Sequence, residues 1–337
     1  MDWVENKKRS YHPLTLWLGK TESLQVSFSE TRTFLSIVPL IIQTLLPWPL
    51  LMRTPIDARL YQIGFLTSFL LLGFITRDWQ LHIEVVLTAI VAALTTQYLC
   101  LKLKNSKNLL VPLHKGDLGG SSQFYSPMIT ALGLSVLLRV DHPWAMAFAA
   151  TIAVLSKFLL QFNQKHIFNP ANFGIVGAIL FTDEAWVSPG QWGESMWYVG
   201  MFLICGGLVL KKVGRWDTTI AFLSFYFAIE ALRNVYLGWT WDVWSHRMMS
   251  GSLIMFSFFM ITDPRTIPNA KPARIIWTFT IALITFILRN YFFMTTAVFF
   301  ALFLAAPLTI LLDWIFKDDR FDWFNLPSAI TPEIKSV

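Results

Sequence analysis

The sequence predicts an all-α membrane protein with about ten transmembrane helices, several of them short and broken. Of its 337 residues, 55% are hydrophobic and only 14% are charged, and the mean hydropathy is +0.52. This apolar fraction exceeds what a water-soluble domain normally carries. The apolar residues also fall into separate segments, and those of about 20 residues suit helices that cross roughly 30 Å of hydrocarbon.

The first part of the chain differs from the rest. Residues 1–32 carry charged side chains throughout and lack the apolar run of a signal peptide. We therefore expect residues 1–54 to form a cytoplasmic or interfacial segment. The stretch 33–52, with P-W-P at 47–49, is predicted to be re-entrant or interfacial, with an eleventh crossing as the alternative. A membrane domain at 55–315 and a cytoplasmic tail at 316–337 follow.

Ten apolar segments make up the predicted membrane domain. They are residues 60–76, 82–101, 126–140, 143–161, 167–182, 196–211, 217–236, 249–262, 273–289 and 291–313. Those at 126–140, 167–182 and 249–262 are too short for a straight crossing and begin near Pro or Gly. Such broken helices are tolerated at membrane depth only where other helices or a cavity cover them.

The distribution of basic residues predicts the orientation. If all ten segments cross, one side receives most of the Lys and Arg residues of the loops, and the loop 183–194 on the other side holds three acidic residues and no basic one. The positive-inside rule then places the basic side and the C-terminus in the cytoplasm, which suggests a bacterial inner membrane. The net charge of +6 fits this topology better than nucleic-acid binding.

A faint internal repeat is visible. Ser126-Pro127 opens a short segment that closes at Asp141, and Ser250-Gly251 opens another that closes at Asp263. Five crossings per half, at about 60–182 and 196–313, would give the two halves opposite orientations, as in inverted-repeat transporters. Chance similarity between two apolar runs is the alternative.

The same short segments carry the candidate binding residues. Asn169 is suited to cap a helix and Pro170 to its first turn, so the following amides would offer partial positive charge to a ligand. Ser126-Pro127 repeats this pattern and Ser250-Gly251 resembles it loosely. We expect the three amino ends to meet in one cavity between the repeats; ordinary helix starts beneath loops are the alternative.

Ionisable residues within apolar segments are a second signal, because each is costly there unless it is paired or reaches the interface. Glu230 and Arg233 lie three residues apart and are expected to pair. Lys157 either serves the site or extends its amine to the interface. Arg289 and Asp313 lie at segment ends, where anchoring is expected.

Several site classes are unsupported by the sequence. Cys100 and Cys205 lie far apart in apolar surroundings, without the spacing of metal ligands, so no metal site is expected. Neither a hydrolytic triad nor a phosphate-binding glycine loop is apparent.

Three stretches carry a family resemblance. They are K…H-I-F-N-P-A-N at 157–172, F-F-M-I-T-D-P-R-T at 258–266 and I-L-R…F-F-A-L-F-L-A-A-P-L…D at 287–313. Together they resemble the RnfD/NqrB family, the membrane subunits of Rnf and of sodium-translocating NADH:quinone oxidoreductase complexes. The resemblance covers roughly residues 55–315.

This resemblance implies a urea-transporter-like fold of ten helices and electron transfer through bound flavin. Family members with covalent FMN carry it on the threonine of an S-G-A-T sequence, which the short loop 183–194 lacks. We therefore expect non-covalent flavin, either riboflavin or FMN, with quinone as a further option. The residues selected as cofactor-binding candidates are Ser126, Lys157, Asn169, Pro170, Asn172, Ser250 and Asp263.

Two functions follow from the sequence. The favoured one is an electron-transport subunit that works beside flavin, haem or iron–sulfur proteins in the bilayer, with coupling to ion movement as an option. The alternative is a channel or transporter for a small solute, which the inverted repeat and the broken helices would also suit. A scaffold that has lost its cofactor is a third option.

Overall fold

The computed structural model describes residues 57–76, 82–107, 123–187 and 196–321. Within these ranges the chain is mostly helical, as predicted. The segment 1–54 with its stretch 33–52, and residues 322–337 of the predicted tail, lie outside the described residues.

The elements follow one another in this order. The first half of the described chain holds α1 (Ala58–Thr76), α2 (Ile83–Lys107), α3 (Tyr125–Leu137), β1 (Leu138–Val140), α4 (Pro143–Leu159), β2 (Gln161–Phe162), β3 (Lys165–His166), α5 (Pro170–Phe181) and β4 (Ala185–Val187). The second holds α6 (Met196–Val213), α7 (Trp216–Tyr236), α8 (Trp241–Met248), α9 (Gly251–Met255), a π-helical turn (Phe256–Met260), α10 (Lys271–Asn290), α11 (Ala297–Ala305) and α12 (Leu308–Ile315).

Four of these elements are candidate membrane spans by length and composition. Residues 58–75, 83–103 and 271–290 qualify as single helices, and α11 with α12 forms a fourth span bent by 48°. The helices α3, α4 and α5, and α9 with its π-helical turn, are apolar but shorter. The structure thus supports a multi-pass membrane protein with short apolar helices, and the number of ten crossings stays a prediction.

Proline sets the start of several helices. Pro143 and Pro170 each occupy the first turn of α4 and α5, and Pro272 does the same in α10. The ring fixes φ near the helical value, and the missing N–H would lack an intrahelical acceptor at that position anyway. These starts were readable from the sequence.

Two small antiparallel sheets interrupt the helices. β1 pairs with β4 in the register Arg139 opposite Trp186, so the chain leaving α3 contacts the chain leaving α5. β2 pairs with β3 through a two-residue turn in which Asn163 and Gln164 have φ of 49° and 64°. Positive φ at both positions is the geometry of a tight hairpin turn. The segment 126–140 was therefore wrong as a continuous helix, since its last three residues form a strand.

Small residues let the helices of the first half approach closely. Ala89 and Ala93 of α2 and Ala149 and Ala153 of α4 are fully buried. A β-carbon added to Gly174 of α5 would lie 2.6 Å from the carbonyl oxygen of Ala149. Without side-chain bulk at these positions, α2, α4 and α5 pack backbone to backbone, as membrane helices commonly do.

Candidate functional site

A cavity of about 100 Å³ lies where α1, α3, α5, α6 and the residues after the π-helical turn meet. We call it the central cavity. Its walls include four of the residues selected from the sequence, namely Ser126, Asn169, Pro170 and Asp263. Asn172, Ser250 and Lys157 are not among the lining residues. The structure therefore brings together part of the predicted set.

Asn169 connects two halves of the fold at this cavity. Its side-chain oxygen accepts a hydrogen bond from the backbone N–H of Asn172, 3.1 Å away, which caps α5. Its amide nitrogen donates to the carbonyl oxygen of Met260 at 3.3 Å and to a carboxylate oxygen of Asp263 at 3.4 Å. One side chain thus satisfies the amino end of α5 and the carboxyl end of the π-helical turn.

We expect Asn169→Ala to lower the free energy of unfolding by about 1 kcal/mol or more, because loss of an N-cap alone has that cost. Thermal unfolding of the purified protein in detergent measures the effect. Ser126→Ala is the matched control, since that serine also lies in the first turn of a helix without capping it. Equal destabilisation by the two substitutions would contradict this role of Asn169.

The other two predicted caps differ from Asn169. α3 begins at Tyr125, so Ser126 lies inside the helix and no side chain caps the helix start. Ser250 occupies the cap position of α9, but its hydroxyl contacts that of Ser252 at 2.9 Å and makes no capping bond. The second half contributes the carboxyl end of its short helix to the cavity. The prediction that three amino ends meet was therefore wrong for Ser250.

Asn172 and Lys157 lie behind the cavity wall. The amide nitrogen of Asn172 donates to the carbonyl oxygen of Phe299 at 3.1 Å, which joins α5 to α11. Lys157 is 6% exposed, and its ammonium donates to the side-chain oxygen of Gln97 at 3.1 Å. The alternative in which Lys157 extends to the interface is therefore wrong, because α2 supplies its partner inside the bundle.

Asp263 is the acidic group of the central cavity. Burial raises the pKa of its carboxyl, and the backbone N–H and charge of Arg265, the hydroxyl of Thr266 and the charge of Lys157 lower it by less. The carboxyl therefore holds its proton to higher pH than a free aspartate does. A protonated carboxyl can donate a hydrogen bond to a ligand, and an ionised one can accept a proton from it.

Three polar residues of the cavity were missed by sequence reasoning. Arg59, His166 and Arg265 also line it. Arg59 is paired with Asp57 at 2.6 Å and lies 5.4 Å from the ring centre of Tyr125. His166 is 4% exposed at the end of β3. Its place in the stretch 157–172 was the available signal, but only the hairpin directs it to the cavity.

The predicted pair of Glu230 and Arg233 was wrong. Glu230 is 2% exposed and accepts from Arg247 at 2.9 Å and from the side-chain amide of Asn290 at 2.8 Å. The guanidinium of Arg233 instead lies 4.8 Å from the ring centre of Trp239. Glu230 faces the bundle interior, where α8 and α10 supply closer partners than its own helix does.

Arg289 and Asp313 join elements, whereas the sequence suggested anchoring at the interface. Arg289 donates to the hydroxyl of Tyr226 at 2.7 Å, which links α10 to α7. Asp313 accepts from the ammonium of Lys165 at 2.5 Å and from the backbone N–H of Asn269 at 2.8 Å. The end of α12 is thereby held against the β2–β3 hairpin.

The cavity tests which cofactor this chain could hold. Pockets for organic ligands usually enclose roughly 300–1,000 Å³, so about 100 Å³ is small for the three fused rings of a flavin. A single-ring head group such as that of a quinone is closer in size, and Asn169 and Asp263 offer polar partners for its carbonyl oxygens. Among the described residues, no three His, Cys, Asp or Glu side chains are grouped as metal ligands would be.

Comparison with known proteins concerns the second half of the chain. Residues 180–322 match the NQR2, RnfD, RnfE family. This confirms the resemblance inferred from the stretches 258–266 and 287–313, which lie inside the match. The stretch 157–172, with Asn169 and Asn172, lies outside it.

Curated relatives carry one name, that of RnfD, a subunit of the ion-translocating oxidoreductase complex. A 126-residue segment is 26% identical to the RnfD protein of Actinobacillus pleuropneumoniae serotype 5b, covering 37% of this chain and 36% of that protein. The RnfD protein of Shewanella denitrificans is 31% identical over 138 residues, covering 37% of each chain. That of Haemophilus influenzae is 26% identical over 125 residues, covering 36% of this chain and 35% of its own. The matching segment thus spans about a third of each relative.

Proposed function

We propose that this chain is a membrane subunit of an ion-translocating redox complex and that its central cavity binds a redox cofactor without a covalent bond. The observation that carries the proposal is the family match at 180–322, joined to relatives named as RnfD subunits of such complexes. Four candidate spans give the chain the multi-pass character that a membrane subunit needs. We place it in the bacterial inner membrane with its C-terminus in the cytoplasm.

The arrangement of helices supports an inverted repeat with halves at about 60–182 and 196–313. In the first half α2 packs on α4 and α4 on α5. In the second half α7 packs on α10 and α10 on α11, in the same order along the chain. Asn169 joins the halves at the central cavity. Repeat interfaces are where such folds place their ligands.

The size and chemistry of the central cavity favour a quinone ring over a flavin. When bound, a quinone would supply the electron-accepting chemistry. The residues of this chain would orient it: Asn169 can donate to a ring carbonyl, and Asp263 can hold or release a proton beside it. Phe258 and Phe259 line the cavity and restrict water there. A flavin would need a wider cavity, and its non-covalent binding by this chain remains the second form of the proposal.

The test is to purify the full chain from native membranes and to identify extracted quinones and flavins by mass spectrometry and absorbance. We expect substoichiometric or stoichiometric quinone, reduced at least severalfold by Asp263→Asn and unchanged by the exposed control Asp318→Asn. A colourless, cofactor-free chain that moves a small solute into liposomes would overturn the redox assignment and support the channel alternative. A chain inert in both assays would contradict both functions.

The partners follow from the same proposal. This chain lacks a described cluster of metal ligands, so the remaining redox centres would belong to flavin, haem or iron–sulfur proteins of the complex. Co-purification of such proteins with a tagged full chain tests this, and isolation of the chain alone under mild detergent would contradict it.

A further inference from the structure

A second cavity, of about 250 Å³, lies beside the β2–β3 hairpin. We call it the hairpin cavity. Residues of the hairpin, the loop before α10 and the end of α12 form its walls. A smaller space of about 30 Å³ adjoins the same hairpin and shares Lys165, Asn269 and Arg320 with it. His166 lines both the hairpin cavity and the central cavity, so the two sites are separated by one side chain.

The charges around the hairpin cavity are mostly positive. Lys165, Lys317 and Arg320 line it, together with the carboxylates of Asp313 and Asp318. Asp313 is already engaged by Lys165 and by the backbone N–H of Asn269. The smaller space is lined by three cations, Lys165, Arg265 and Arg320, and by no carboxylate among the residues that the structure describes there.

Two further observations show that this positive charge is in excess. Burial lowers the pKa of Lys165, and the charges of Arg215 and Arg320 lower it further against the pull of Asp313. Arg215 also has a buried Nε–H that meets no acceptor in the described part of the chain. Buried donors and crowded cations are both costly, and an anion beside them removes that cost.

The outer face of the hairpin cavity is apolar. Trp314 and Phe162 line it and are 75% and 50% exposed, and the neighbouring Leu311 and Ile315 of α12 are 50% and 54% exposed. α12 completes the bent span, so this exposed face belongs in lipid and Trp314 lies where aromatic side chains meet the head-group region. A ligand here would meet cations on one side and hydrocarbon on the other.

We propose that the hairpin cavity binds the phosphodiester head group of an anionic phospholipid, whose acyl chains lie along the exposed face of α12. Lys317 and Arg320 attract the phosphate, and the apolar residues of α12 contact the chains. Basic pockets beside membrane helices bind anionic lipids in this way. The proposal does not depend on the redox function.

The test compares lipid and free phosphate on the full chain purified in a neutral detergent. Native mass spectrometry with added phosphatidylglycerol, phosphatidylcholine or inorganic phosphate measures retained ligand. We expect one phosphatidylglycerol to be held more tightly than phosphatidylcholine. Each cation near an anionic head group contributes about 1 kcal/mol, so Lys317→Gln with Arg320→Gln should weaken binding by about 25-fold, or about fivefold for each.

A matched control is the double variant Lys102→Gln with Lys211→Gln, which loses the same charge from exposed lysines away from the cavity. Its affinity for phosphatidylglycerol should be unchanged. Arg320 also donates to the carbonyl oxygen of Asn163 at 2.6 Å, so Lys317→Gln alone provides a variant that leaves the hairpin intact. Equal retention of both lipids, equal weakening by the control, or displacement of the lipid by millimolar inorganic phosphate would overturn the proposal.

Discussion

Asp217→Ala should strongly destabilise the protein, because it leaves a buried guanidinium without its carboxylate. Arg274 of α10 donates to Asp217 of α7 at 2.7 Å, and their side chains are only 7% and 8% exposed. Removing one partner of a buried ion pair typically costs about 3–5 kcal/mol, since the remaining charge stays in a poorly polarisable environment. The loss should appear as a lower thermal unfolding temperature in detergent.

The companion variant separates the pair from the packing around it. Asp217→Ala combined with Arg274→Met removes both charges while keeping most of the volume of the longer side chain. We expect this double variant to regain a large part of the lost stability, because replacing both partners of a buried pair is far less damaging than removing one. A double variant less stable than Asp217→Ala would show that Arg274 acts mainly through its bond to the carbonyl oxygen of Asn269.

Gly174→Ala should also be destabilising, although alanine is the better helix former. Its β-carbon would lie 2.6 Å from the carbonyl oxygen of Ala149 and 2.9 Å from the β-carbon of Ala153. The first of these is a backbone atom of α4, so relief requires the two helices to separate. Overpacking of this kind costs about 1–3 kcal/mol, and unfolding in detergent would measure it.

Gly207→Ala is the control for that substitution. Gly207 lies within α6, and an added β-carbon there meets no atom within 4 Å. Its replacement should be neutral or stabilising by up to about 1 kcal/mol, which is the difference in helix propensity between the two residues. If both glycine variants changed stability equally, the close approach of α4 and α5 would not be the reason for Gly174.

The sequence was informative where the deciding chemistry is local. Asn169 and Pro170 start α5 as predicted, because a capping side chain and a proline ring act within one helical turn. Ser126 carried a similar pattern, but its helix begins one residue earlier. The β2–β3 hairpin also escaped prediction, since the pattern of two short strands is weak within an apolar sequence.

Partners distant in sequence could not be assigned in the same way. Glu230 had a nearby candidate in Arg233, yet its observed partners are Arg247 and Asn290. Asp313 was expected to anchor the chain, yet it binds Lys165, which lies 148 residues earlier. Such pairs depend on which helix faces approach one another, and the spacing of residues along one helix does not contain that information.

The sequence by itself determined the membrane class, the broken helices, the family resemblance and the cap at Asn169, because composition, segment length and first-turn chemistry act without knowledge of the rest of the chain. The tertiary structure decided which helix ends meet at the central cavity, which charges pair, and that cations and an exposed apolar face adjoin at the hairpin cavity. These depend on packing between segments more than a hundred residues apart, where small residues such as Gly174 set how closely the backbones approach.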